Sequence, residues 1–453
     1  MLKHIGDKMT AVNERIAPME VMPSHSAVDG NFRRWYVLFI LVWAYAIHNL
    51  DKQIVSALIG PLKAEFAMSD FQVSILGGLA ASVPFALVCI PMGMLADRKN
   101  RKHLLVILLL AWSLATSFAG FASTLAVLYL CRISVGALEA GFSPITMSLI
   151  SDHFRPKERS TALGFFALGA PVGTFLAMAA GSYIAADYGW RMAFLLAGIP
   201  GVVLAIVIAF TIREPARGRY DAVKTVDNET ASLKMALRYM LSDKALLHTF
   251  VGMVLCVALL ACLAVWLPTF LVRVHSLSMK EAGIWSALVV GAVGALGAAA
   301  GGFVADFISQ GRESRKLMMV IITTILAAVC TVVAMLFSPS LSVAVVLIGC
   351  TTFLAQSLFG TGYGLVIHLS APNMRATVLA MLVVAFNLIS YTVGSSVAGW
   401  VSDRMASFAG VHSITYGIAA TTILSFWGAG HFFRAYQLLR QREPKYPDVI
   451  HSR

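Results

Sequence analysis

Apolar residues in this chain come in blocks of about 20, the length that crosses the hydrocarbon core of a bilayer as an α-helix. Such blocks run over 35–58, 72–95, 104–123, 125–148, 161–185 and 193–212. A polar stretch at 213–244 follows, and six more blocks run over 246–271, 284–305, 317–337, 342–370, 377–400 and 414–434. The pattern predicts an all-α membrane protein of twelve transmembrane helices. The tenth block exceeds one crossing and is expected to tilt or to end in a loop. The predicted organisation is a tail at 1–34, a six-helix bundle at 35–212, a linker at 213–244, a second bundle at 245–436 and a tail at 437–453. The first tail holds no apolar core segment, so it reads as a cytoplasmic tail and not as a signal peptide.

Composition agrees with lipid as the main solvent. Hydrophobic residues make up 58% and charged residues 13%, where a soluble domain carries roughly 25% charged residues. The net charge of +12 would suggest nucleic acid in a soluble protein, but its placement excludes that. Of the 35 Lys and Arg, 28 lie in tails and loops on the side of the termini, and five, Lys63, Arg191, Arg273, Lys280 and Arg404, lie on the other. The remaining two, Lys52 and Arg132, lie within spans. Basic residues that follow membrane sidedness place both termini in the cytoplasm. The expected location is the bacterial inner (plasma) membrane, with the protein a monomer. The six cysteines sit in or beside apolar runs, without the spacing of metal ligands, and read as small buried hydrophobes. Neither a metal nor a cofactor is expected.

The two halves repeat. Gly93-Met94-Leu95-Ala96-Asp97-Arg98 after the second block, then Arg101-Lys102, returns after the eighth as Gly302-Phe303-Val304-Ala305-Asp306, then Arg315-Lys316. The stretch from Pro156 to Gly164 before the fifth block returns as Pro372 to Ala380 before the eleventh. Arg213-Glu214-Pro215 and Arg442-Glu443-Pro444 close the halves. Parallel six-helix repeats are a transporter architecture, with the solute site at mid-depth between halves that rock.

Ionisable residues inside spans are rare and usually functional. The first span carries His48, Asp51 and Lys52, and the fourth carries Arg132 and Glu139. At about 1.5 Å per residue, Arg132 on its descending helix reaches nearly the level of Asp51. Glu139, seven residues on, shares its face. A contact between Asp51 and Arg132 is expected, with Glu139 below it as the proton site. A carboxyl whose distance from a cation alternates binds and releases a proton in step with the motion. Arg132 can also hold an anion through its fork of donors. Lys52, His48, Gln356, Asn387 and Tyr391 are the further candidates for contacting solute. His368 is a weaker one. Gly291, Gly294, Gly297, Gly301 and Gly302 in the eighth span, and Gly169, Pro171 and Gly173 in the fifth, are expected at close helix contacts.

Gly-x-Leu-Ala-Asp-Arg-x-x-Arg-Lys at 93–102 resembles the loop signature of the major facilitator superfamily. The resemblance implies two pseudo-symmetric six-helix bundles and a gate formed by Gly93, Asp97, Arg98, Arg101 and Asp306, in which Asp97 pairs with charges at cytoplasmic helix ends and latches the outward-facing state. Asp51-Lys52-Gln53-Ile54 followed by Arg132-x-x-x-Gly136-x-x-Glu139-Ala140 is similar to the Spinster-type branch. That similarity implies proton coupling and substrate binding at Asp51, Arg132 and Glu139. Lys52 departs from the branch, which usually has Arg there. The expected function is proton-coupled transport of an organic anion or amphiphilic small molecule. An organic-anion symporter of the anion–cation type, sharing Trp190-Arg191, and a non-transporting sensor on the same scaffold are the alternatives. His-Glu-x-x-His, a nucleophile elbow and a phosphate loop are missing from the sequence, so an enzyme is not expected.

Overall fold

The computed structural model describes residues 31–217, 220, 233–309, 312–338, 340–371 and 374–443. The remaining residues, among them Pro372, Asn373 and Pro444 of the repeats, lie outside the described residues. The chain divides into Met1–Val37 and Leu38–Arg453, and the packing and the sites described below lie in the second unit.

Among the described residues every regular element is helical. The helices are α1 (Asn31–Phe66), α2 (Asp70–Arg98), α3 (Arg101–Ala119) and α4 (Leu125–His153). Next come α5 and α6, which run together through Pro156–Ala167 and Gly169–Thr211. After a linker helix, Leu233–Ser242, come α7 (Lys244–His275), α8 (Met279–Ser309), α9 (Glu313–Leu336) and α10 (Leu341–Leu369). The chain closes with α11 (from Arg375 to Ala409) and α12 (Ser413–Arg442). No loop separates α5 from α6. Gly189, at φ 83° and ψ 161°, turns the chain instead, in a region that L-residues avoid. Among the described residues, nine helical segments are long and apolar enough to cross a membrane. Two of these, Thr161–Thr211 and Thr377–Arg442, each contain two rods, parted at Gly189 and at Gly410–His412. The α1 helix is not among the nine, because His48, Asn49, Asp51 and Lys52 lower its hydropathy. With it, and apart from the linker helix, the described residues form twelve such rods. The tenth block forms one unbroken helix of 29 residues, Leu341–Leu369, so of the two expectations, tilt or a terminal loop, the loop is not found there.

Helix packing without a hydrophobic drive between helices relies on close backbone approach at small residues. Glycines supply it twice over, at corresponding places. A Cβ on Gly173 of α5 would stand 2.0 Å from Ala46 O of α1, and one on Gly394 of α11 would stand 2.1 Å from Ala258 O of α7. A Cβ on Gly136 of α4 would stand 2.1 Å from Ala81 O of α2, and one on Gly297 of α8 would stand 2.3 Å from Phe353 O of α10. Gly173→Val and Gly394→Val are each expected to cost about 1–3 kcal/mol or more, because backbone stands where the side chain would go. Loss of monodisperse protein on heating in detergent measures this.

The short Arg-Glu-Pro repeat has a structural meaning that its length did not promise. Glu214, after α6, caps the start of α3 by accepting the Lys102 N–H at 2.8 Å. Glu443, after α12, caps the start of α9 by accepting the Ser314 N–H at 2.8 Å. Carboxylates belong at helix N-termini. On the same face, Asp243 caps α7 and pairs with Arg442 at 2.9 Å. Burial alone would raise the Asp243 carboxyl, but Arg442 and the two backbone N–H groups outweigh it and hold it below its usual range. A depressed carboxyl contributes stability above its unfolded pKa, and that contribution is lost as pH falls through the folded one.

Candidate functional site

Two faces of the bundle differ. Ion pairs described on the face of the linker stay within one half. Arg101, 1% exposed, pairs with Asp152 and, at 2.8 Å, with Glu214. Lys316 pairs with Asp306 and with Glu313, each at 3.1 Å. Arg217 donates to the carbonyls of Ala96, Asp97 and Lys99, closing the end of α2. The Asp97 side chain itself is exposed and, among the described residues, forms no ion pair. Of the expected gate residues, Arg98 is likewise exposed, Gly93 has open space around it, and Arg101 is a buried structural hub.

On the far face the contacts cross between halves. Asp70, at the start of α2, receives Lys63 at 2.5 Å, both ends of the Arg273 fork from α7 at 2.6 and 2.7 Å, and the Ser402 hydroxyl of α11 at 2.7 Å. Asp403 of α11 accepts the N–H groups of Asp70 and Phe71, both at 2.8 Å. Asp187, 216 positions before Asp403, pairs with Lys280 at the start of α8 at 2.6 Å. Each half thus ends its fifth helix in an aspartate that reaches the second helix of the other half. Both receiving helices begin with a capping box, Ser69 with Gln72 and Ser278 with Glu281, at the same interval as Asp97 and Asp306. This far-face set was missed in the sequence, where Arg273, Lys280 and Lys63 counted only as charges on one side. The paired capping boxes were the available signal.

At mid-depth the expected acids and cations converge. Arg132, 2% exposed, reaches Asp51, but its Nη1 donates to the Asp51 main-chain carbonyl at 2.9 Å. The carboxyl, 0% exposed, accepts no hydrogen bond. The expected contact is therefore made through the backbone. Glu139, 5% exposed, ends the first segment of α4 before the turn at Ala140 and Gly141. Its Oε1 stands 3.7 Å from His48 Nδ1 and accepts no hydrogen bond. His48 is stacked on Phe142, with ring centroids 5.0 Å apart and planes at 13°.

Lys52 points the other way, across the gap between halves. Its Nζ donates to Asn387 Oδ1 at 2.9 Å and lies 3.7 Å from the centre of the Tyr391 ring. Both partners belong to a π-helical segment of α11, Phe386–Tyr391, whose wider turn aligns residues four apart. Two further π-segments interrupt α2 (Ile75–Leu79) and α8 (Ala287–Val293). No carboxylate lies within ion-pair distance of Lys52 among the described residues. A narrow pocket between the halves is lined by His48, Lys52, Arg132, Glu139, Asn387 and Tyr391, with Gly77, Gly78, Ala81 and Ser82 of α2 as its small-residue wall. A compact cation gripped only by an amide oxygen and an aromatic face is suited to exchange those partners for an anion.

Gln356 is not brought to this pocket. It packs against α8, 3.3 Å from where a Cβ on Gly294 would be. His368 lies exposed at the end of α10. Trp112 and Thr116 of α3, both buried beside Asp51, were not singled out in the sequence. They carry no charge, so nothing marks them among other spanning residues.

This arrangement of helices and polar groups is that of a membrane transport protein. The Major Facilitator Superfamily model matches residues 41–390, and the chain belongs to that superfamily. It is 27% identical to an MFS-type efflux pump of Mycolicibacterium smegmatis, over 86% of this chain and 89% of that protein. It is 23% identical to protein spinster homolog 1 of Xenopus tropicalis, over 91% and 82% of the two chains. A probable L-galactonate transporter of Escherichia coli is 26% identical over 82% and 83%. Among solved structures, a bacterial homolog of the human lysosomal transporter Spinster, in an inward-facing and unoccupied conformation, superposes with a TM-score of 0.82 and 24% identity, over 92% of this chain and all of that one. The chain is thus a multi-pass membrane transporter resembling the Spinster type, and not an enzyme.

Proposed function

We propose that this protein is a proton-coupled secondary transporter of a small organic anion, working as a monomer by alternating access between the halves 35–212 and 245–436. The observation that carries this reading is the Lys52 ammonium, held across the gap by neutral groups of the other half, 2.9 Å from Asn387 Oδ1, beside a pocket that also holds Arg132 and Glu139. The anion replaces Asn387 and Tyr391 on Lys52. Glu139 and Asp51 carry the proton, and Arg132, turned onto the Asp51 carbonyl, sets their field. The sugar-acid name of the Escherichia coli relative supports an anionic solute. It also favours the anion–cation type of symporter as the second reading.

The far-face contacts of Asp70, Asp403 and Asp187 support an inward-facing state, opening on the face of the linker and termini, which we assign to the cytoplasm of a bacterial inner membrane. In that state the Asp97 latch would be open, in keeping with its exposed carboxyl and with the free space at Gly93. Closure of that face would bring Asp97 to charges of the other half.

A thermal-shift screen of the purified protein against sugar acids, aliphatic carboxylates and lysolipids tests the solute class. Ligand in excess stabilises the native state by RT ln(1 + [L]/Kd), about 2.7 kcal/mol at a hundredfold excess over Kd. A sugar acid or other carboxylate is expected to raise the melting temperature of wild type and not of Lys52→Met. In proteoliposomes the same compound is expected to move protons, read with a trapped pH dye. A ligand bound equally well by Lys52→Met would remove the anion reading.

A further inference from the structure

Asp51 and the α3 helix face each other with matching deficits. Neither carboxyl oxygen of Asp51 accepts a hydrogen bond. The Trp112 Nε1–H and the Thr116 hydroxyl, 0% and 1% exposed as residues, find no acceptor. They stand four residues apart, so they share one face of α3. That face is turned to α1 at His48, one turn before Asp51, and the two are the side-chain donors beside its carboxyl. Trp112 meets His48 edge-on at 6.3 Å and Phe142 at 5.8 Å, which fixes the plane of the indole. Buried donors and acceptors are rarely left unpaired. A buried acceptor and two buried donors, none with another partner, are complementary to one another.

We propose that Trp112 and Thr116 are positioning residues for Asp51, the donors that receive its carboxylate when its proton leaves. The proposal rests on the reading that Asp51 takes part in the proton step. In the state described here Arg132 is committed to the main-chain carbonyl, which leaves the carboxyl to these two donors. On ionisation the carboxylate takes the indole N–H and the hydroxyl as its donors. Hydrogen bonds to an ionised group are about twice as strong as neutral ones. The other charged or titratable groups around Asp51 are Arg132 and Glu139 of α4 and His48 and Lys52 of α1 itself. The α5 and α6 helices meet α1 through Gly173, Gly181 and Gly201, and α3 offers Trp112 and Thr116. Those two are therefore the uncharged donors that separate the two protonation states.

The test is infrared difference spectroscopy of the full-length protein in detergent across a pH titration, a readout that needs neither solute nor gradient. Asp51→Asn assigns the carboxyl band. Thr116→Val and Trp112→Phe are each expected to move the midpoint of that band to higher pH by about one unit, tenfold in proton affinity. Thr116→Ser, which keeps the hydroxyl, is expected to leave it in place. Midpoints unchanged in both donor variants, or moved equally by Thr116→Ser, would overturn the proposal. So would a titration spectrum that Asp51→Asn leaves unaltered. Failure of proton-coupled uptake in wild type is seen separately, in proteoliposomes, and bears on the transport reading alone.

Discussion

Glu139→Gln is expected to abolish uptake driven by a pH gradient, by on the order of 100-fold, the size of effect that follows loss of a positioned proton acceptor. The substitution preserves shape, and Glu139 Oε1 accepts no hydrogen bond that the amide would have to replace. The fold is therefore expected to survive, with thermal stability close to wild type. Exchange of labelled for unlabelled solute with no gradient imposed needs no net proton movement, so it is expected to persist. The two measurements separate a proton carrier from a brace between Glu139 and Arg132. A brace would show itself as equal losses in exchange, in gradient-driven uptake and in stability. Retention of wild-type gradient-driven uptake would remove Glu139 from the proton path altogether.

Arg101→Met is expected to give the largest loss of stability, about 3–5 kcal/mol, the cost of breaking a buried ion pair by removing one member. Arg101 is 1% exposed and donates to Asp152, Glu214, the Ser148 hydroxyl and the Pro215 carbonyl. Asp152, itself 4% exposed, loses that partner. Glu214 loses the arginine while still capping α3. Arg101→Lys keeps the charge and loses the fork, so it is expected to recover only part of the loss. Arg98→Ala, three residues away and exposed, is expected to change stability by less than about 0.5 kcal/mol. Melting curves of the three purified variants in one detergent make the comparison. Equal melting temperatures for Arg98→Ala and Arg101→Met would mean that the hub does not stabilise the fold.

These two arginines belong to one sequence signature, and their separation shows where sequence reasoning stops. The helices were legible because lipid imposes a strong, simple rule. Spans must be apolar for about 20 residues, and Lys and Arg mark one side. The charged members of the site were legible for the converse reason. Asp51, Lys52, Arg132 and Glu139 are conspicuous in an apolar background, and four of the residues lining the pocket are His48, Lys52, Arg132 and Glu139. Which atoms meet was not legible. Whether Arg132 bonds the Asp51 carboxyl or its carbonyl depends on a side-chain rotation that spacing does not encode. Asn387 and Tyr391 join the site through a π-turn in α11, whereas Gln356, equally polar, is turned onto α8 at Gly294. Uncharged donors such as Trp112 and Thr116 carry no compositional signal. The far-face aspartates lay at helix ends, where a charge is unremarkable until its partner in the other half is known.

The bond from Lys52 to Asn387 spans the two halves at 2.9 Å, and a swing of one half against the other must stretch it. An empty carrier turning around has to sever that bond with nothing to take its place. Under the proposed function, a loaded one has already given it up to the anion and turns unhindered. Homoexchange should thus outpace net efflux from loaded vesicles, and Asn387→Ala should narrow the difference by speeding the unloaded return alone.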